Sequence, residues 1–335
     1  MAFSVGTRVQ PGVTSHDPNL IVLEDGKGGR AEVWPALGFN CVTWRAVLGG
    51  RTLDLLYDDP HLFDDGRPTR SGIPILFPFP NRIRAGRYTW DGKEYHLPLN
   101  DGPKQNAIHG FACRRPWRVL RQGTDDTSAF VTGVFRGSVD APDCQALWPT
   151  DYEIRVTYRL REHSLGIEAV VINPDSKPMP WGLGYHPYFK VAFTPDAKPE
   201  DALLRVPARG FWELQDCLPT GNILPEDDVR GLTKARRYAD VHVDDVLTDL
   251  DKPGADGMRL MGAVEGAPAA SLLVYASPDF RDTVIFTPPN RQAFCIEPYT
   301  CTTDAVNLEA RGVKAGWRTL PPGDRWVGLV ELHVA

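Results

Sequence analysis

The chain has 335 residues, enough to bury a sizeable core, and its 31 Gly and 30 Pro imply many short elements joined by turns. Its net charge of −6, with no run of basic residues, excludes the electrostatic footprint of a nucleic-acid or anionic-lipid binder. Six cysteines (Cys41, Cys113, Cys144, Cys217, Cys295 and Cys301) show no C-x-x-C pair and no zinc-type spacing, so they read as reduced and mostly buried. No charged-then-apolar leader opens the sequence and no stretch approaches a membrane span. The expectation is a cytoplasmic protein acting on a small molecule, without nucleic-acid or membrane partners.

In chain order, the first unusual segment is Gly72–Gly86, where Pro74, Pro78 and Pro80 interrupt an apolar run. Each proline removes a ladder donor, so a regular central strand is excluded, and a stiff segment delivers Asn81 and Arg82 in fixed positions. Next, Asn106–Phe111 carries His109 between an isoleucine and a glycine, a place for a satisfied core histidine or a ligand-facing one. Ala129–Phe135 has strand character, and Tyr152–Leu160 alternates strictly, with Tyr152, Ile154, Val156, Tyr158 and Leu160 on one face. A short polar break leads into Leu165–Ile172, which makes a hairpin.

Pro180–Phe189 surrounds His186 with four aromatics, Trp181, Tyr185, Tyr188 and Phe189, a rigid ring-lined setting suited to stacking on sugar faces. The stretch 226–238 has charges without an apolar stripe and allows at most a turn or two of helix. Ala270–Ala276, Thr283–Phe286 and Trp326–Val334 read as further strands. Between the last two lies Phe294–Thr300, where Glu297 ends an apolar run and is locked by Pro298. A carboxylate placed there is either employed in chemistry or held in a structural ion pair, with Arg82 as the candidate partner. Closely spaced strands with few helical signals predict an all-β sandwich or barrel, and no linker or composition shift divides residues 1–335, so one domain is expected.

One arginine, two histidines and a glutamate on rigid apolar segments suit proton transfers at a sugar's anomeric centre. A base removes the anomeric hydroxyl proton while an acid protonates the ring oxygen, the ring opens, and it recloses on the other face. The sequence shows no dinucleotide or P-loop signature and no short metal-ligand spacing such as H-x-H or H-E-x-x-H, so no cofactor and no metal are expected. The ordered pieces PFPNRIRAGRY, NAIHGF, GYHPYF and IEPYT followed by TDAVN resemble the aldose 1-epimerase (galactose mutarotase-like) family, in its compact bacterial branch. They cover most of the chain from about Gly72 onward, and the part through Asp59 resembles the family's opening strands.

The resemblance implies a β-supersandwich, two large twisted antiparallel layers with few short helices and an open cleft. It implies cofactor-free interconversion of α and β anomers of a free sugar, by a monomer or homodimer. It makes Glu297 the general base and His186 the general acid, with Arg82, His109 and Asn81 binding the sugar. In Val243–Leu247 it points to Asp244, rather than Asp245, as a binding carboxylate. A metal-dependent isomerase or lyase with His109, His186 and Glu297 as ligands is disfavoured by the missing short ligand spacing and by the charge of Arg82, and two other functions stand beside this one. One is a catalytically silent sugar-binding protein on the same fold. The other is a phosphosugar epimerase, for which Arg84, Arg87, Arg114 and Arg115 supply candidate phosphate contacts.

Overall fold

The alternation in Tyr152–Leu160 becomes the centre of a large sheet in the computed structural model, which describes residues 2–227, 230–266 and 270–335. The strand runs Glu153–Arg161, and Ile154, Val156, Tyr158 and Leu160 are all buried. It pairs antiparallel with Ser164–Ile172 across the break at Glu162 and His163, with Leu160 opposite Leu165. The other expected strands form within a residue of their predicted bounds, at Ser128–Arg136, Ala270–Ala276, Asp282–Phe286 and Arg325–Val334. Around positions 226–238 there is a two-residue strand, Arg236–Arg237, and residues 228 and 229 lie outside the described residues.

Among the described residues, the strands assemble into three main sheets. Ser4–Val9, Asn19–Glu24, Arg30–Trp34, Asn40–Leu48 and Arg51–Asp54 form a five-stranded meander. The hairpin of Glu153–Arg161 lies in a nine-stranded antiparallel sheet, where the C-terminal strand Arg325–Val334 sits between Ser164–Ile172 and Ala270–Ala276. An eight-stranded antiparallel sheet carries, side by side, Asp244–Leu250, Asp282–Phe286, Ala293–Tyr299 and the short Gly184–Tyr185. The helices are short. This is an antiparallel β-supersandwich. No helix among the described residues is long and apolar enough to cross a membrane.

The strand Ala293–Tyr299 shows how the layers divide their labour. Phe294 and Ile296 are fully buried and belong to the main core, where Ile296 meets Gly262 of the nine-stranded sheet. Burying each such side chain contributes roughly 1.5–3 kcal/mol. Because side chains alternate along a strand, Cys295, Glu297 and Tyr299 face the opposite way.

The proline-rich segment forms only short pieces, as three prolines require: Ile75–Leu76, which pairs with Gly184–Tyr185, and Arg82–Ile83, which pairs with Ala107–Ile108. Gly182 donates to the Pro78 carbonyl at 2.7 Å and His186 to the Pro74 carbonyl at 3.0 Å, so this segment and Pro180–Phe189 are laced together. The Asn106–Phe111 loop joins them where Gly110, at φ +64°, bridges to Phe77. A Cβ on Gly110 would run into the Phe77 carbonyl oxygen. Gly110→Ala is therefore expected to destabilise the protein by about 2–4 kcal/mol, from the left-handed backbone and the overlap together. Denaturant unfolding measures this, and a change within about 0.5 kcal/mol would contradict it.

Candidate active site

Asn81, Arg82, His109, His186, Asp244 and Glu297 line one pocket of about 100 Å³, closed below by Val284, Phe286 and Tyr299. A larger hollow of about 650 Å³, lined by Thr7, His16, Trp117 and their neighbours, contains none of these residues. Six side chains drawn from five separated segments thus meet in one small polar cavity.

Each is fixed by its backbone. Asn81 and His109 both have left-handed backbones, at φ +52° and +68°, and the His109 N–H donates to the Asn81 carbonyl at 2.8 Å. Non-glycine residues at positive φ are uncommon and store strain, so their coincidence at a pocket marks a position held by its surroundings. Arg82 donates through Nε to Asp101 at 2.7 Å and through Nη1 to Asn81 Oδ1 at 3.1 Å. The buried Asp304 pins the same strand: its N–H donates to the Arg82 carbonyl at 2.8 Å and its Oδ1 accepts from the Arg84 N–H at 3.0 Å. Burial disfavours the Arg82 charge, but the bond and charge of Asp101 outweigh it and hold the guanidinium above its usual pKa. The ion-pair partner that the sequence suggested for Arg82 was Glu297. Asp101 takes that place, and Glu297 is left for His186.

His186 Nδ1 lies 3.4 Å from Glu297 Oε1, without hydrogen-bond geometry and with no other partner. Both residues are buried, Glu297 to 1% exposure. The His186 ring stacks on Tyr188 at 4.6 Å between centroids, and Phe286 meets it edge-on at 6.2 Å. The Tyr188 hydroxyl donates its only proton to the Thr69 carbonyl at 2.6 Å, so at 3.3 Å from His186 Nε2 it acts as acceptor. That accounting places the imidazole proton on Nε2 and turns a lone pair on Nδ1 toward Glu297.

Tyr299 completes the arrangement by donating to Glu297 Oε2 at 2.8 Å. Its ring lies over Gly184, where a Cβ would come within 2.6 Å of it, so the glycine is needed for the tyrosine to reach the carboxyl. Burial drives Glu297 well above the usual carboxylate range; the Tyr299 bond opposes this, Asp244 adds to it and Arg82 counters it. Burial also lowers His186, to about 3, with a smaller push from Arg82. Both partners are pressed toward their neutral forms. His109 is likewise held neutral, by burial first and then by His186, Arg82 and Arg114. Its Nδ1 has no partner and its ring lies 5.7 Å from that of His186.

Asp244 and Asp245 separate cleanly. Asp244 lines the pocket, and Asp245 pairs with Arg230 at 3.0 Å. Asp244 is exposed at the pocket's edge, yet the protein around it raises its carboxyl above the usual value, against Arg82 and Lys104. Sequence reasoning gave no role to Asp101, Asp304 or Tyr299, and Tyr188 entered it only as one of the aromatics around His186. The two tyrosines sit in the quoted motifs at i+2 from His186 and Glu297, a spacing that puts Tyr299 on the same strand face as Glu297.

A profile of the aldose 1-epimerase family matches residues 48–333. The chain belongs to that family. The protein YihR of Escherichia coli, described as uncharacterized, is 24% identical over 267 residues, 78% of this chain and 81% of that one. The galactose mutarotase of Rattus norvegicus is 33% identical over 149 residues, which is 43% of this chain and 40% of that enzyme. A galactose mutarotase-like protein from Clostridium acetobutylicum superposes with a TM-score of 0.87 at 24% identity, covering 100% of this chain and 99% of that one. This last likeness carries the fold.

Removing the Tyr299 hydroxyl takes away a bond that favours the ionised carboxyl. In Tyr299→Phe the Glu297 pKa is therefore expected to rise further and kcat to fall about tenfold or more, with KM little changed. A pH–rate profile of the variant checks this; an unshifted profile at full kcat would contradict it.

Proposed function

We propose that this protein is an aldose 1-epimerase that interconverts the α and β anomers of a free sugar, with Glu297 as general base and His186 as general acid. The observation that carries the reading is the 3.4 Å approach of His186 Nδ1 to Glu297 Oε1 in a buried pocket. The anomeric hydroxyl and the ring oxygen are bonded to one carbon, so the groups that serve them must lie side by side. This pair does.

The proton count supports the same assignment. In this reading Glu297 starts protonated, and passing its proton to His186 Nδ1 gives a carboxylate and an imidazolium, the forms a base and an acid require. Glu297 then takes the anomeric proton while His186 protonates the ring oxygen, and the ring opens. The product state holds an open-chain aldehyde beside a neutral carboxyl and a neutral imidazole, the forms that burial favours. Rotation about the C1–C2 bond presents the other carbonyl face, and the reverse transfers close the ring. His109 and Asn81 offer neutral hydrogen-bonding groups, and Arg82 supplies fixed positive charge where oxygen gains electron density. Asp244 accepts from hydroxyls at the pocket's edge.

Two observations weigh against a phosphosugar substrate. Arg84 is committed to Asp304 at 3.6 Å, and Arg115 to Asp143. Polarimetry over hexoses, pentoses and glucose 6-phosphate tests the reading. Free aldoses are expected to mutarotate faster than in buffer alone, and Glu297→Gln and His186→Asn are each expected to lower the enzymatic rate about 10²–10⁴-fold with the fold intact. Binding of sugars without any rate enhancement would assign the protein to a non-catalytic role, and near-normal rates in either variant would remove that residue from the mechanism.

A further inference from the structure

Cys295 is one of the cysteines expected to be reduced and mostly buried, and it is fully buried. Its position is nonetheless informative. It lies two residues before Glu297 on the same face of Ala293–Tyr299, and it pairs across the sheet with Tyr188, the residue that stacks on His186. One ligand atom each from His186, Cys295 and Glu297 lies within 4.8 Å of the others. Ligands around a tetrahedral zinc ion, with bonds of about 2.0–2.3 Å, lie roughly 3.3–3.8 Å apart, so closing this trio takes side-chain movements of about an ångström.

We propose that His186, Cys295 and Glu297 form a binding site for a soft divalent cation of the zinc class, and that occupation of this site inhibits the enzyme. The chemistry of the three donors is that of a borderline-soft ion: imidazole, thiolate and carboxylate. His186 Nδ1 is buried and lacks a hydrogen-bonding partner. Arg82, in the same pocket, is paired with Asp101 at 2.7 Å, which tempers its repulsion of a cation, and Asp244 lines the pocket as well. The fourth position would open into the pocket, toward water or a sugar oxygen.

Binding displaces the thiol proton and the carboxyl proton to solvent and fills the Nδ1 lone pair. Affinity therefore strengthens as pH rises, by up to about a hundredfold per pH unit for two released protons. The same ion occupies both groups of the acid–base pair, which is why it inhibits rather than assists. The inhibitory half of this inference rests on the function proposed above; the binding half rests on the donor set alone.

The test uses the purified full chain with cobalt(II) as spectroscopic probe and zinc(II) as inhibitor. Wild type and Cys217→Ala, which removes the partly exposed thiol, are expected to show a near-ultraviolet thiolate-to-cobalt charge-transfer band at one ion per chain. Cys295→Ala and Cys295→Ser are expected to lose the band, keep the basal mutarotation rate, and require at least tenfold more zinc for half-inhibition. Two conservative variants are used because a buried site tolerates a lost sulfur and a new hydroxyl differently. Mutarotation without a charge-transfer band, or equal zinc sensitivity in wild type and both Cys295 variants, would overturn the metal site. A cobalt band in a wild type that turns over no aldose would overturn the acid–base reading and inhibition with it, and would leave the binding site standing.

Discussion

The arrangement depends on one costly contact, a carboxyl buried to 1% exposure beside an imidazole that is itself buried. In water a glutamate beside a histidine is an ordinary ion pair. Here desolvation opposes both charges, and it outweighs the pull of Arg82 and the bond from Tyr299 on Glu297. Desolvation thus favours the neutral form of each group.

Much of the surrounding structure serves to keep that pair in place. Ala293–Tyr299 anchors itself in the core through Phe294 and Ile296 and offers its other face to the pocket. Tyr299 and Tyr188 fix the carboxyl and the imidazole respectively, each from two residues further along its own segment. Gly184 makes room for the first tyrosine, and the Thr69 carbonyl settles the proton of the second. Arg82 is held by Asp101 and its strand by Asp304, so the positive charge is present but not free to collapse onto Glu297.

The strands were legible in the sequence because one-sided burial leaves a period of two, as in Tyr152–Leu160, and because prolines forbid a ladder at 74, 78 and 80. His186 and Glu297 stood out since polar groups among aromatics and prolines demand an explanation. His109 was ambiguous alone, because a histidine between isoleucine and glycine looks the same whether it faces core or cavity. The roles of Asp101 and Asp304 were not legible: Asp101 lies in an ordinary polar stretch, Asp304 sits in the TDAVN piece without a sign of what it binds, and their partners are 19 and 220 residues away. Nor did the sequence reveal the upward shift of the Glu297 carboxyl, which comes from the depth of burial rather than from residue type.

The central claim of the proposed mechanism is that Glu297 enters the cycle as a neutral acid and supplies the proton that makes His186 an acid. Infrared difference spectroscopy of wild type against Glu297→Gln at neutral pH tests it most directly. A protonated carboxylic C=O stretch that is lost in the variant, and that persists in wild type well above the ordinary carboxylate pKa, is the result expected. A difference spectrum containing only ionised carboxylate bands would contradict it.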